Sequence, residues 1–294
     1  MSTLAPIRLP YRFVSIQGDD AERFLQGQLS CDLSQLTESQ ACYGTANSPK
    51  GRMYGLLRIV RWKEGFLMRL HESTLDNFLQ QLGKYKVFFK CQMQAENHLA
   101  YGYMEAPETS ASLPSETDAM TCDDHGTLFL RQADPTGRYE CWSPAGLPDA
   151  VSDPASCEAW HIAECRQGIP ELYAETVDHF ILQHLNLQQL GAVSFKKGCY
   201  TGQEIIARMK FLGKLKKKMF LLYADADHAL TPGLSVYDEN DKKCGEIVRG
   251  HRLENGESIA LAVLDIRFDD TGGTVHTEQH PAVPFQVESL PEQA

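Results

Sequence analysis

Apolar and polar positions along this chain form short blocks whose spacing changes character twice. Phe24, Leu25 and Leu29 recur at helical spacing behind Asp19-Asp20-Ala21-Glu22, which predicts a helix with Asp19 as N-cap and Glu22 reaching back to it. Past the turn-forming run Asn47-Ser48-Pro49-Lys50-Gly51, Met53 to Trp62 reads as a strand. Lys63-Glu64-Gly65 turns it into a second, Phe66 to Leu70. Ser73 opens another predicted helix, with Leu75, Phe78, Leu79 and Leu82 on one face and Gly83 as its stop, and Tyr85 to Met93 returns as strand.

From Glu105 to Gly126, proline, serine, threonine and acids displace large apolar residues, so this span reads as a connection rather than an element. Thr127 to Arg131 and Arg138 to Trp142 read as strands. Asp153-Pro154 starts a helix that should end near Gly168-Ile169-Pro170, and Phe180 to Leu190 is a further helix stopped by Gly191. Beyond Gly213 the pattern is all-β: Lys218 to Tyr223, Leu234 to Tyr237, Gly245 to Arg249 and Ile259 to Leu264. Turns such as Glu239-Asn240-Asp241 and Glu254-Asn255-Gly256 separate these strands, and the spacing suggests a small barrel. The expected architecture is an α+β body over residues 1–212 and a C-terminal β-barrel domain over 213–294.

A length of 294 residues suits two or three domains. The net charge of −11 argues against uniform attraction to phosphates or anionic membranes, though it leaves room for a local basic patch. No apolar run reaches bilayer-spanning length, and MSTLAPIRLPYRF lacks the layout of a secretion signal, so a cytoplasmic location without a membrane partner is expected. The nine cysteines include no C-x-x-C pair; an odd, scattered set suits reduced thiols that mostly serve as small core residues.

One cysteine stands apart. Cys199 lies in FKKGCYTGQEII, behind Lys196-Lys197-Gly198 and just ahead of Gly202 and an apolar, helix-like run. A helix opening at Thr201 or Gly202 would bring unpaired N–H groups near the sulfur, and with the lysines these would favour thiolate. Gly198 and Gly202 would let backbone approach a ligand or take positive φ. The alternative is a glycine-flanked turn whose cysteine merely packs. A Cys–His pair is a further reading, but none of the histidines, His161, His179 and His184 among them, lies in a partner motif. The run Arg208 to Lys218 is basic, free of acids and interleaved with apolar residues. It reads as a candidate RNA-binding module or, more plainly, as a solvated strand entry.

SFKKGCYTGQEIIAR, Ser194 to Arg208, resembles the signature of the YgfZ family of folate-binding proteins, relatives of the glycine-cleavage T-protein, a folate-dependent aminomethyltransferase. The resemblance continues in GDDAERFLQGQLSCDL (Gly18 to Leu33), SPKGRMYGLLRI (Ser48 to Ile59) and KYKVFFK, and runs from about Tyr11 to Tyr223. It implies a ring of two intertwined α+β subdomains and a β-barrel around a central folate cavity. It also implies support of iron–sulfur enzymes, including tRNA-modifying ones, with Cys199 as functional thiol and Lys197 as its basic neighbour. Tyr11 and Trp160 resemble the aromatics placed against folate, and Gly198, Tyr200, Gly202, Gln203 and Glu204 of the signature are expected beside it.

The departures bear on activity. T-protein relatives carry paired aspartates after the glycines of the Ser48 to Ile59 segment, whereas Gly51-Arg52-Met53-Tyr54-Gly55-Leu56-Leu57 holds no carboxylate. Their folate-directed glutamate falls at Arg166 here. Without those acids, proton relay at pterin and amine nitrogens is missing, which argues against aminomethyl transfer. The resulting expectation is a folate-binding accessory protein for iron–sulfur cluster assembly or repair. Its partners would be iron–sulfur enzymes or assembly proteins, since one cysteine falls short of the roughly four ligands a cluster takes.

Overall fold

Strand-forming residues dominate the first half of the chain, and a computed structural model shows how they pair. It describes residues 5–109, 112–132, 137–152, 154–225, 230–253 and 255–290. The chain divides into two units. One takes the residues up to Asn47, Tyr54–Trp160 and Gly191–Thr201; the other takes Ser48–Met53, His161–Leu190 and the chain from Gly202 onward.

Among the described residues ten strands build the first unit: β1 (Ile7–Arg8), β2 (Tyr11–Gln17), β3 (Ala41–Asn47), β4 (Met53–Trp62), β5 (Gly65–His71), β6 (Gln92–Glu96), β7 (Leu99–Tyr103), β8 (Met120–Cys122), β9 (Leu128–Arg131) and β10 (Tyr139–Ser143). They form two five-stranded sheets, ordered β3-β4-β5-β2-β6 and β1-β7-β10-β9-β8. Phe13, Val60 and Leu67 of the first sheet share one core with Ala100, Leu128, Leu130 and Trp142 of the second. Burying apolar faces from both sheets against each other removes water from each.

A buried ion pair crosses between the sheets. Arg69 of β5 donates through Nε to Glu140 Oε1 at 2.8 Å and through Nη2 to Oε2 at 3.1 Å. Trp142 Nε1 donates to the same carboxylate at 2.8 Å. With both charges buried, the fork geometry supplies the hydrogen bonds that offset desolvation. The Arg69 guanidinium also lies 3.7 Å from the centroid of the Tyr11 ring.

Helices punctuate this unit: α1 (Ala21–Gln26), α2 (Leu75–Lys86) and, as far as Trp160, α3 (Pro154–Arg166). Trp160 of α3 is fully buried and seats on β7 where Gly102 leaves space; a Cβ there would stand 2.4 Å from the indole. In the second unit, α4 (Gln203–Phe211) precedes β11 (Lys217–Ala224), β12 (Ser235–Asp238), β13 (Lys243–Arg252), β14 (Ser258–Asp265), the short α5 (Phe268–Thr271), β15 (Thr274–Thr277) and β16 (His280–Glu288). These strands close a barrel in the order β11-β14-β13-β12-β15-β16 around Phe220, Leu222, Ile247, Ala262 and Phe285. No described helix is long and apolar enough to cross a membrane.

Several local expectations are corrected. Asp20, not Asp19, precedes α1, and no side chain caps it. Asp20 instead accepts the Lys90 N–H at 2.9 Å, and Glu22 pairs with Arg61 at 2.8 Å, so distant partners outcompete the capping box. Gly83 does not stop α2, which continues to Lys86; buried Phe78 and Leu82 outweigh the roughly 1 kcal/mol cost of a helical glycine. Strand therefore resumes only at Gln92. Phe180 to Leu190 holds one 3-10 turn, Leu182–Leu185, ended by Asn186 at φ +53°. There Gln183 and Asn186 donate to the Ile206 and Met219 carbonyls, drawing the segment out of helical register. The connection from Glu105 to Gly126 contains β8, and the barrel gains β15 and β16, whose prolines and mixed exposure mask the strand pattern.

Substituting Gly102→Ala should cost about 1–3 kcal/mol by overpacking the indole. Urea denaturation of both proteins measures it, and an unchanged midpoint would show that Trp160 does not need the space.

Candidate functional site

The signature loop belongs to the first unit and lies along residues 27–31, which follow α1. Ser30 N–H donates to Thr45 O at 3.0 Å, tying this segment to β3. The Gly27, Leu29, Ser30 and Cys31 carbonyls accept from the loop. Ser194 N–H donates to Ser30 O at 2.9 Å, and Thr201 N–H to Gly27 O at 3.1 Å. The Ser30 hydroxyl donates to Ala192 O at 2.5 Å, and the Thr201 hydroxyl to Gln28 Oε1 at 3.2 Å.

Lys197 completes the attachment. Its Nζ donates to Leu29 O at 2.9 Å and to Cys31 O at 2.6 Å. Burial pulls its pKa below the ordinary lysine range, opposed by the Cys31 and Asp32 charges. Thus the residue expected beside Cys199 as a base neighbour has its ammonium engaged on two carbonyls. Ser194 Oγ, facing the N–H groups of Lys196 and Lys197 at 3.3 Å, shapes the turn ahead of the cysteine.

Cys199 is exposed; of the other cysteines only Cys122 is, the rest being buried or half-buried. Tyr200, next along, is buried beneath the loop, and burial pushes its phenol up to about 12. The Tyr200 hydroxyl has no hydrogen-bond partner among the described residues. So one residue of the loop anchors it inward while its neighbour presents a thiol to solvent.

The two glycines behave differently. Gly202 takes φ +84° and stands as N-cap of α4, as the predicted helix opening requires. Gly198 keeps ordinary backbone angles, and a Cβ there would meet nothing within 4 Å. Its positive-φ reading is therefore corrected, and what distinguishes it is open surface. Gln203 and exposed Glu204 form the first turn of α4, where the acid complements the helix dipole.

Tyr11 and Trp160 come together in one core cluster, and each ring has protein against it: Arg69 over Tyr11, Gly102 and the Arg138 guanidinium against Trp160, the latter at 4.6 Å. Trp160 is fully buried, yet its Nε1–H has no acceptor among the described residues. For a flat pterin, the rings therefore offer little free face for stacking. The indole edge offers an unmet donor that a pterin carbonyl or ring nitrogen fits.

The second unit accounts for the histidines singled out earlier. His161 lies 3.1 Å from Glu164 Oε2 and 2.7 Å from Arg249 Nη2, and His179 lies 3.0 Å from Glu246. Burial pulls the His184 imidazole down to about 4. The basic run divides: Lys217 and Lys218 enter β11 paired with Asp265 (3.9 Å) and Asp269 (2.5 Å), while Phe211 and Leu212 are exposed. Arg166 ends α3 exposed and hydrogen-bonds Tyr223.

No family model matches the chain. It is 30% identical over 295 residues to the tRNA-modifying protein YgfZ of Shigella boydii serotype 4 (strain Sb227), a match that spans 92% of this chain and 90% of that protein. The chain belongs to the YgfZ family. A second member, the tRNA-modifying protein YgfZ of Colwellia psychrerythraea (strain 34H), is 27% identical over 267 residues, covering 85% of this chain and 82% of its own. Among solved structures, the glycine cleavage system aminomethyltransferase T of Bartonella henselae matches with a TM-score of 0.75 and 14% identity, over 99% of this chain and 88% of that one. Identity that low carries fold alone. This YgfZ-family chain thus has the T-protein-like fold, mixed α+β with a closed six-stranded barrel.

Sequence reasoning missed the 27–31 segment as part of the site. Its role runs through backbone oxygens, which no side-chain pattern announces, although GQLSCDL was already part of the family resemblance.

Replacing Lys197 by methionine keeps the stem and deletes the ammonium. The change should cost about 1–2 kcal/mol, discounted because the group is half-buried. It should also speed amide exchange at Ser194 and Thr201 relative to the barrel; equal protection in both proteins would show that the loop holds without the lysine.

Proposed function

We propose that this protein is a folate-binding accessory factor for iron–sulfur cluster assembly or repair, with Cys199 as its working thiol. The observation that carries the reading is the exposed sulfur on a loop fastened at both ends and in its middle to residues 27–31. A thiol exposed but conformationally fixed serves as a transient ligand or sulfur relay for a partner's cluster, because little ordering entropy remains to be lost on contact. The other ligands, about three more, come from the partner or from small thiols.

Folate binding draws support from the T-protein-like fold and from the orphaned Trp160 N–H. In this reading Trp160 donates to the pterin, while Tyr11, backed by Arg69, lies in the same core cluster. Folate, once bound, supplies a one-carbon carrier or a redox-active ring. Aminomethyl transfer is the weaker reading, since the Gly51 to Leu57 segment brings no carboxylate and Arg166 replaces the expected acid. The relatives' name, tRNA-modifying, fits an indirect role in which the clients are iron–sulfur enzymes that act on tRNA.

In cells lacking the native protein, Cys199→Ala should leave iron–sulfur tRNA-modifying activity at the level of the empty vector, while the wild-type chain restores it. Full rescue by the variant would remove the thiol from the mechanism. Calorimetric titration with tetrahydrofolate should saturate, and Trp160→Phe, which keeps a ring but loses the N–H, should weaken binding roughly 5–10-fold, about one hydrogen bond's worth. Lack of saturable heat with the wild-type protein would take the cofactor out of the reading.

A further inference from the structure

Two cysteines that the proposed function leaves unused, Cys31 and Cys42, lie side by side in the first unit. Residue 29 bridges antiparallel to Ala46, and Ser30 N–H bonds Thr45 O, so continuing the register sets Cys31 opposite Gly44. The missing side chain at Gly44 is what admits the thiol: a Cβ there would lie 2.6 Å from Cys31 Sγ. Across that gap the Cys31 sulfur faces Cys42, the next residue of β3 on the same face, and the two thiols interact. Cys31 is 2% exposed, whereas Cys42 is only half-buried, so small solutes approach from the Cys42 side.

The electrostatics divide the pair. The interaction with Cys42, with help from the Lys197 charge, holds the Cys31 thiol below its usual range against the effect of burial. The same interaction and burial hold Cys42 well above its own. With the Lys197 ammonium seated on its own carbonyl, Cys31 is the better placed of the two to ionise and act as nucleophile.

We propose that Cys31 and Cys42 form a reversible disulfide in response to peroxide, and that closing it loosens the loop bearing Cys199. The Cys31 thiolate attacks one peroxide oxygen and breaks the O–O bond, giving a sulfenic acid and hydroxide. The Cys42 sulfur then attacks the sulfenic sulfur and displaces its hydroxyl, which takes the Cys42 proton and leaves as water. In sum two thiols and hydrogen peroxide become a disulfide and two waters: the sulfurs lose two electrons and the peroxide gains them. A dithiol reductant reverses the bond by exchange.

Coupling to the loop follows from geometry. Residues diagonal to each other across a ladder stand farther apart than the roughly 3.5–4.5 Å that a disulfide requires between Cβ atoms. Bridging therefore draws Cys31 away from its place over Gly44. Its carbonyl, the 2.6 Å acceptor of Lys197 Nζ, moves with it, so the loop's central attachment loses the shorter of its two bonds and keeps only Leu29 O. The regulatory meaning of that release rests on Cys199 being the working thiol, whereas the disulfide itself does not.

The test uses the full chain carrying Cys122→Ser and Cys199→Ser, so that neither exposed thiol competes. After hydrogen peroxide, denaturing alkylation and trypsin, the peptide spanning residues 24–50 should be about 2 Da lighter and carry no alkyl group. Dithiothreitol should restore two alkylation sites. Adding Cys42→Ser, or separately Cys31→Ala in case the first variant unfolds, should abolish the mass loss. Amide exchange over 194–201 should be about tenfold faster in the oxidised than in the reduced protein. A peptide that keeps two free thiols, or takes up oxygen without closing, overturns the redox pair; a closed disulfide with unchanged loop exchange overturns the coupling. Neither readout involves a cluster or folate, so both stand apart from any failure of the iron–sulfur reading.

Discussion

An ammonium group seated on two main-chain carbonyls, Lys197 Nζ on Leu29 O and Cys31 O, governs where the Cys199 loop lies. Carbonyl oxygens of a segment outside regular secondary structure are short of donors, and a half-buried lysine supplies one with a full charge. Around that point, Ser194, Thr201 and the Ser30 hydroxyl add bonds of ordinary strength. The result is a segment without regular secondary structure that is nonetheless fixed. One consequence is chemical: the charge that fastens the loop is also felt by the buried thiol of Cys31.

A second constraint operates in the core beneath. The Arg69–Glu140 pair joins the two sheets, and its guanidinium covers the Tyr11 ring. Trp160 fits only because residue 102 lacks a side chain. The aromatic rings expected to act as stacking platforms are therefore engaged by the protein, and of these the polar edge of Trp160 remains unsatisfied among the described residues. A buried donor without an acceptor costs roughly 1–3 kcal/mol.

Much of the fold was legible in the chain. The hairpin from Met53 to Leu70, the helix opened by Pro154 and the four leading barrel strands follow from period, turn residues and proline placement. Where the expectation failed, a distant partner intervened. Asp20 serves Lys90 instead of a cap, Gln183 and Asn186 reach for carbonyls far along the chain, and α2 runs through Gly83 because its apolar face is buried. Each is a case of tertiary contacts worth more than a local preference of about 1 kcal/mol or less.

By itself the sequence determined the family, the α+β-then-barrel order and the singular position of Cys199, because these rest on residue identity and spacing along one chain. Tertiary structure alone decided that Lys197 serves backbone oxygens, that Gly102 and Gly44 make room for Trp160 and Cys31, and that Arg69 lies over Tyr11. Most of those are relations between segments many tens of residues apart, and some are made through main-chain atoms that every residue carries alike. Such atoms leave no mark in a list of side chains, so only the folded chain reveals which of them meet.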